Sequence, residues 1–276
     1  MGLRQRLLAR LRGQAPARPS PTEPPPPPSP PPGPFRLSDP ALATLSPDDL
    51  DPALRAALAD GRPEALDALL EVVHQDVYAV RILSEAWCDR MRAELDALDA
   101  WMARSGKSFE PPNSMNRYGV ILSEIGMTEA LEALMTQAIA PLAARCFPEV
   151  GGASLDDQHG FIVEYTRGGD RDLGFHVDDS EVTLNLCLGG EFSGGALYFE
   201  GRRCGQHRQT GCSTADRLRW EHRPGIGLLH AGKHRHGALP IEEGLRRNLI
   251  LWCRSSAYRA AVTEECPPWC AESRAQ

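Results

Sequence analysis

The chain has 276 residues, a formal net charge of −7 and 42% hydrophobic residues. That length accommodates one core domain plus a tail. The mild acidity speaks against a general nucleic-acid binder, and no run reaches the ~18 apolar residues that a membrane-spanning helix needs.

Residues 1–13 are basic, Leu-rich and free of acid, which reads as a short amphipathic helix, a transit-like leader or simple composition. No apolar core with a small-residue cleavage site follows, so secretion is not expected. Met1-Gly2 resembles a myristoylation start, but Arg6 stands where that motif wants Ser or Thr. Residues 15–35 contain the proline runs Pro24–Pro28 and Pro30–Pro32. Proline donates nothing to a ladder, so this segment reads as disordered or polyproline II. It is a linker, or a ligand for an SH3- or WW-type module.

Two helices are expected over residues 47–73, each opened by a proline at Pro47 and Pro63. A strand follows at Val77–Leu83. Ser84 then caps a helix whose apolar Met91, Leu95, Leu98 and Met102 form one stripe, ended by Ser105-Gly106. Phe109–Leu122 reads as a loop running into a strand. Its cluster Asn113, Asn116, Arg117 and Tyr118 is either a well-bonded loop or a wall of a substrate entrance. Thr128 is expected to cap a further helix reaching about Cys146, with Leu131, Leu134, Ile139 and Leu142 on the buried side.

From Phe161 the apolar period becomes two. Phe161–Thr166, Val182–Leu188, Ala196–Phe199, Ile226–Leu229 and Asn248–Cys253 are short β-rich runs separated by Gly, Asp and Arg clusters. Such spacing predicts an α+β fold with a jelly-roll (double-stranded β-helix) core and supporting N-terminal helices. Gly194-Gly195 marks a hairpin turn or bulge. Gly201–Pro224 reads as a long surface insertion. The organisation expected is a Pro-rich tail (1–40), a helical support region (41–155), the jelly roll (156–254) and a Cys-containing tail (255–276).

Chemistry concentrates between Gly174 and Trp252. Side chains at i and i+2 of an extended segment share a face, so His176 and Asp178 aim at one point. A histidine about sixty residues on would complete the two-histidine, one-carboxylate facial triad that non-haem Fe(II) oxygenases use. His230, His234 and His236 all compete for that place, and the i, i+2 parity of the last two leaves them equivalent on spacing. Asp179 is one residue out of phase and should face away. An inward arginine in an apolar barrel is costly without an anionic partner, which makes Arg246 or Arg247 a candidate for a dicarboxylate. An internal ion pair is the competing reading.

His176-x-Asp178 with His236-x9-Arg246 resembles the 2-oxoglutarate- and Fe(II)-dependent dioxygenases, and the wording is closest to the prolyl and lysyl hydroxylase branch. His236-Gly-Ala-Leu-Pro240 with Gly244-Leu-Arg246 is similar to the closing motif of procollagen lysyl hydroxylases. Pro112–Gly119, Phe147–Glu149 and Val182–Leu188 resemble the group named 2-oxoglutarate and iron-dependent oxygenase domain-containing proteins. The resemblance selects His236 as the second histidine, with His230 and His234 as supporting or loop residues. It selects Arg246, not Arg247, as the inward arginine that meets the far carboxylate of 2-oxoglutarate. It also carries over Tyr165 as a cosubstrate contact, whose plain alternative is core packing; Thr183 and Asn185 are weaker pocket candidates. It implies Fe(II), 2-oxoglutarate and O2, with ascorbate as reductant, and hydroxylation of a C–H bond in a small molecule or a protein side chain such as Lys or Pro. The carboxylate at position 178 speaks for hydroxylation over halogenation.

Two other readings stand beside this one. A non-catalytic cupin-like barrel could use His234-x-His236 to bind or sense a metal. Zinc could sit on Cys204-x2-His207-x4-Cys212 or, separately, on Cys266-x3-Cys270, although neither has the paired CxxC spacing of common zinc sites. The eight cysteines are otherwise read as mostly buried free thiols in a reducing, cytoplasmic setting, with the basic leader as the competing signal.

Overall fold

The computed structural model describes residues 33–263 and 265–270, so the expected leader and most of the proline-rich run lie outside the described residues. The described residues already make defined contacts ahead of the expected boundary at residue 40. Phe35 packs edge-on against Trp101 and Phe109, and the backbone N–H groups of Ser38 and Asp39 donate to the Glu94 carboxylate at 2.8 and 2.9 Å.

Helices α1 (Pro52–Asp60) and α2 (Pro63–Asp67) come first. The second is shorter than its apolar pattern suggested, because Glu71–His74 is strand β1, which forms a hairpin with β2 (Val77–Val80). Helix α3 (Glu85–Ser105) is capped as the sequence predicts: the Ser84 side chain accepts from the Trp87 N–H, and Gly106 closes it in the left-handed region. After β3 (Gly119–Ile121), helix α4 (Thr128–Leu134) passes through one π turn, Met135–Ile139, into α5 (Ala140–Cys146). Thr128 is the first helical residue and not the cap, which is Met127 with no side-chain bond. The π turn has a local cause in Pro141, which lacks an N–H and whose ring crowds the preceding turn.

The remaining strands are β4 (Asp157–Thr166), β5 (Leu173–His176), β6 (Val182–Cys187), β7 (Phe192–Gly194), β8 (Leu197–Arg202), β9 (Arg217–Trp220), β10 (Gly227–Ala231), β11 (His234–Ala238) and β12 (Ile241–Arg254). They form two antiparallel sheets. The larger runs β1-β2-β10-β6-β12-β4-β3, with β7 paired to the start of β12; the smaller runs β5-β11-β8-β9. The support region is thus not purely helical, since it lends β1, β2 and β3 to the larger sheet. Nor is Gly201–Pro224 simply a surface insertion: it contains the end of β8 and all of β9, and Arg202, Arg203 and Cys204 are buried. Helix α6 (Ser256–Ala261) follows the last strand. Among the described residues no helix is long and apolar enough to cross a membrane.

Strand alternation sorts the two faces of the larger sheet. Leu184 and Leu186 on β6, with Leu249, Leu251 and Cys253 on β12, pack against Met91, Leu95, Leu131 and Leu134 of the helices. Their in-between neighbours, Thr183, Asn185, Arg246, Asn248, Ile250 and Trp252, face the space between the sheets. There they meet Phe161, Tyr165, Leu197 and Phe199.

Candidate metal centre and cosubstrate pocket

Strand pairing assembles the triad. His236 on β11 lies directly opposite His176 on β5, and the turn after β5 brings Asp178 back beneath them, its N–H bonded to the Gly232 carbonyl at 2.9 Å. His176 Nε2 stands 3.5 Å from Asp178 Oδ1, and His236 Nε2 stands 3.8 Å from Asp178 Oδ2. One ligand atom from each of the three falls within 4.8 Å of the others, and all three residues are buried. The inner nitrogens are already committed: His176 Nδ1 to the Gly174 carbonyl at 2.8 Å and His236 Nδ1 to the His234 carbonyl at 2.9 Å. Those bonds fix the tautomer and leave both Nε2 lone pairs pointing to the centre, as metal-ligating imidazoles require. The Thr183 hydroxyl donates to Asp178 Oδ2 at 2.7 Å and orients the carboxylate.

The electrostatics suit a cation. Burial works to raise Asp178, whereas His236, His176 and His230 lower it whenever those rings carry a proton; the lowering wins, so Asp178 is the anion of the group. Burial pushes His236 down to about 3, so it stays neutral. For His176 burial works downward too, yet the hydrogen bond and charge of Asp178 together raise it. An anion flanked by imidazole lone pairs is a donor set for a borderline divalent metal, and Fe(II) fits it.

His230 and His234 lie close by but outside this group. His230 is fully buried, with Nε2 3.9 Å from Asp178 Oδ2 and its ring 4.7 Å from that of His236. His234 shares the inner face with His236, but a register shift between them carries it away, toward Phe199 and His74. Asp179 is exposed and pairs with Arg254 and Arg259.

Arg246 is 1% exposed and faces the same chamber. Its guanidinium lies 4.2 Å over the Tyr165 ring and donates to the Gly195 carbonyl. Its Nε has no partner, and among the described residues no carboxylate pairs with it. Burial lowers its pKa from the ordinary arginine value. A buried cation with an orphaned N–H could serve as the donor half of a carboxylate site. Tyr165 is buried too, and its hydroxyl accepts from Asn116 at 3.3 Å. Half of the Asn113–Tyr118 cluster therefore lines the chamber, through Asn113 and Asn116; Arg117 and Tyr118 are exposed beside Asp170.

Arg247 points to the other side of the sheet, but not into water. It is buried under α3, paired with Glu164 at 2.5 Å, Asp96 at 2.5 Å and Asp99 at 2.6 Å. The internal ion pair weighed for an inward arginine belongs to this residue. The sequence offers His230 as a supporting residue and Asn116 as part of an entrance wall; the structure adds that His230 Nε2 lies 3.9 Å from Asp178 and that Asn116 bonds the Tyr165 hydroxyl. A histidine between Leu229 and Ala231 in an apolar strand was the available signal for the first.

Volume does not identify the reactive site. The chamber at the triad holds about 40 Å³, whereas a concavity of about 1160 Å³ lies around Arg202, Lys233, Tyr258 and Trp269. The candidate metal ligands and Arg246 line the smaller one.

The two sheets of a jelly roll enclose a buried two-histidine, one-carboxylate cluster, a donor set of the kind that non-haem iron sites use. Residues 35–152 match the OGFOD2-like domain. The chain is 41% identical over 223 residues to the 2-oxoglutarate and iron-dependent oxygenase domain-containing protein CP2 of Arabidopsis thaliana, covering 80% of this chain and 57% of the relative. It is 36% identical over 233 residues to the human 2-oxoglutarate and iron-dependent oxygenase domain-containing protein 2, covering 83% and 63%. The chain thus spans about three fifths of the length of these relatives. Among solved structures, the non-heme alpha ketoglutarate dependent carbocyclase SnoK from nogalamycin biosynthesis aligns with a TM-score of 0.50 over 71% of this chain and 85% of that one. At 13% identity that likeness speaks for the fold.

Proposed function

We propose that this chain is an Fe(II)- and 2-oxoglutarate-dependent dioxygenase that hydroxylates an unactivated C–H bond and releases succinate and CO2. One observation carries the reading: a buried His176–Asp178–His236 centre and a buried, carboxylate-free Arg246 line the same chamber. When bound, the ferrous ion supplies the redox chemistry that couples decarboxylation of 2-oxoglutarate to oxidation of the substrate by O2. The protein does the positioning. His176, Asp178 and His236 would hold the ion, with Thr183 fixing the carboxylate. Arg246, backed by the Tyr165 ring, neutralises the distal carboxylate of 2-oxoglutarate. Phe161, Leu173, Ile250 and Trp252 supply the apolar part of the chamber wall, beside the polar Asn116, Asn185 and Asn248.

A peptidyl lysine or proline is the substrate class we favour. Human multifunctional procollagen lysine hydroxylase and glycosyltransferase LH3 is 26% identical over 192 residues, covering 67% of this chain and 24% of that protein. Ascorbate is the proposed reductant that returns over-oxidised iron to the ferrous state. The test is iron-dependent conversion of 2-oxoglutarate to succinate by the purified chain. His176→Ala, Asp178→Ala and His236→Ala should each abolish it, and His234→Ala should not. If His234→Ala stops turnover while His236→Ala spares it, the choice of histidine is wrong. If the wild-type chain makes no succinate with iron present, the non-catalytic metal-binding reading replaces this one.

A further inference from the structure

The two cysteine motifs that looked unrelated along the chain converge in space. Cys204 and His207, just past β8, meet Cys266 and Cys270, which follow α6. Cys212 is not part of the group; it accepts a hydrogen bond from Arg217. One ligand atom from each of the four lies within 4.8 Å of the others. Cys204 Sγ is 3.3 Å from His207 Nδ1 and 3.8 Å from Cys266 Sγ, while Cys266 Sγ and Cys270 Sγ stand 3.4 and 3.6 Å from the same nitrogen.

These spacings have a simple meaning. Zinc–sulfur bonds of about 2.3 Å and a zinc–nitrogen bond of about 2.0 Å at tetrahedral angles give S···S edges of about 3.8 Å and S···N edges of about 3.5 Å. A disulfide would need its sulfurs about 2.05 Å apart, so the Cys204–Cys266 pair is not one. The backbone is shaped for the purpose. His207 N–H closes a turn on the Cys204 carbonyl at 3.1 Å, and Cys270 N–H closes another on the Pro267 carbonyl at 2.9 Å. Cys204 N–H donates to Cys270 Sγ at 3.4 Å, the kind of bond that stabilises a thiolate. Each tight turn thus presents two ligands to the other turn.

We propose that Cys204, His207, Cys266 and Cys270 form a structural Zn2+ site. Four protein ligands leave no open position, so its role is to hold chain segments together and not to react. Thiolates favour zinc over the hard cations, and a closed tetrahedral set of three sulfurs and one imidazole fits it. The ion fastens the segment after α6 to the β8–β9 loop. Trp269 reinforces that docking, lying 5.0 Å over the Arg202 guanidinium and donating to the Tyr258 hydroxyl at 3.2 Å. The same loop supplies the Arg208 and Thr210 carbonyls that hold Arg235, the residue between His234 and His236. The zinc site therefore steadies, through one buried arginine, the strand that carries His236.

The test uses the full chain, first in wild-type form and then with His176, Asp178 and His236 all replaced by Ala to silence the other centre. Both should retain one equivalent of zinc by elemental analysis after dialysis against EDTA. Cobalt added to the metal-stripped triple variant should give, at one equivalent, the visible bands and sulfur charge transfer of tetrahedral cobalt thiolate. Cys266→Ser and Cys270→Ser should each lose that signal, and Cys212→Ser and Cys146→Ser should keep it. Absence of zinc and of the cobalt spectrum in the wild-type and triple-variant chains would overturn the proposal. So would retention of both in Cys266→Ser and Cys270→Ser, their loss in Cys212→Ser, or a disulfide in freshly purified protein.

Discussion

Arg246→Met should make the cosubstrate-free protein more stable and the loaded protein less so. In the free chamber the guanidinium has only the Gly195 carbonyl and the Tyr165 ring to offset its removal from water, and its Nε bonds to nothing. Replacing a buried ion by an apolar side chain of similar length is often neutral or stabilising, by about 1–4 kcal/mol. In a domain of this size each kcal/mol moves the melting temperature by about 2–4 °C. In the wild-type chain the balance reverses once a dicarboxylate arrives. At a concentration 100 times its Kd, 2-oxoglutarate should add about 2.7 kcal/mol, a shift of about 5–11 °C. Losing a buried charge-assisted pair of about 3–5 kcal/mol weakens binding by at least about 100-fold, so the variant should show almost none of that shift. The assay is differential scanning fluorimetry of metal-loaded protein under argon, with and without 2-oxoglutarate. A wild-type-sized shift in Arg246→Met would remove the carboxylate role. A variant that melts several degrees lower without ligand would mean that Arg246 is a structural residue.

Thr183→Val removes the 2.7 Å bond to Asp178 and should weaken metal binding about 10–100-fold by titration, with little change in melting temperature; unchanged affinity would mean that Asp178 is oriented by other groups. Arg247→Met strands Glu164, whose carboxyl burial already pushes up, and should cost about 3 kcal/mol in urea unfolding. Asp96 and Asp99 are too exposed to add much, so Asp96→Asn should change stability by about 1 kcal/mol or less. The buried His234 is pushed well below its ordinary pKa by desolvation. The unfolded chain therefore binds the extra proton first, and metal-free protein should lose stability as pH falls below about 6.5, by about 1.4 kcal/mol per pH unit for each such group. His234→Leu should flatten urea midpoints between pH 7 and 5.5 by that much, and an unaltered slope would count against a buried neutral imidazole. Gly244 has φ +78°, and a Cβ there would strike the Glu191 carbonyl. Gly244→Ala should therefore lower the melting temperature and 2-oxoglutarate affinity together, because this bend aims Arg246; loss of neither would show the bend to be dispensable.

The legible parts of this molecule were those fixed by short-range rules. Ser84 and Gly106 bound α3 because capping is local chemistry. Alternation in Val182–Leu188 already placed Thr183 and Asn185 on one face, opposite Leu184 and Leu186. The start of a short, irregular strand was harder to see. Leu173–His176 has little apolar alternation, and its strand character comes from pairing with β11. Glu71–His74 continued an apolar helical pattern and became a strand because β2 offered it a partner. The choice between His234 and His236 had no local answer, since parity is the same for both and a register shift separates them in space. The zinc ligands were hidden for a related reason. Each half looked like an incomplete motif, and only the fold joins residues separated by about sixty positions.

Arg246 and Arg247 show how one strand serves two purposes. The same period-two geometry sends adjacent, chemically identical side chains to opposite faces of β12. Beneath α3, Arg247 finds three carboxylates supplied by the protein itself, so it is complete in the folded chain. Between the sheets, Arg246 finds an aromatic ring, one carbonyl and no acid among the described residues. Local sequence does not distinguish them, and burial does not either. What distinguishes them is whether the fold provides the counter-charge, and the arginine left without one among the described residues is the one for which we propose a dianionic cosubstrate.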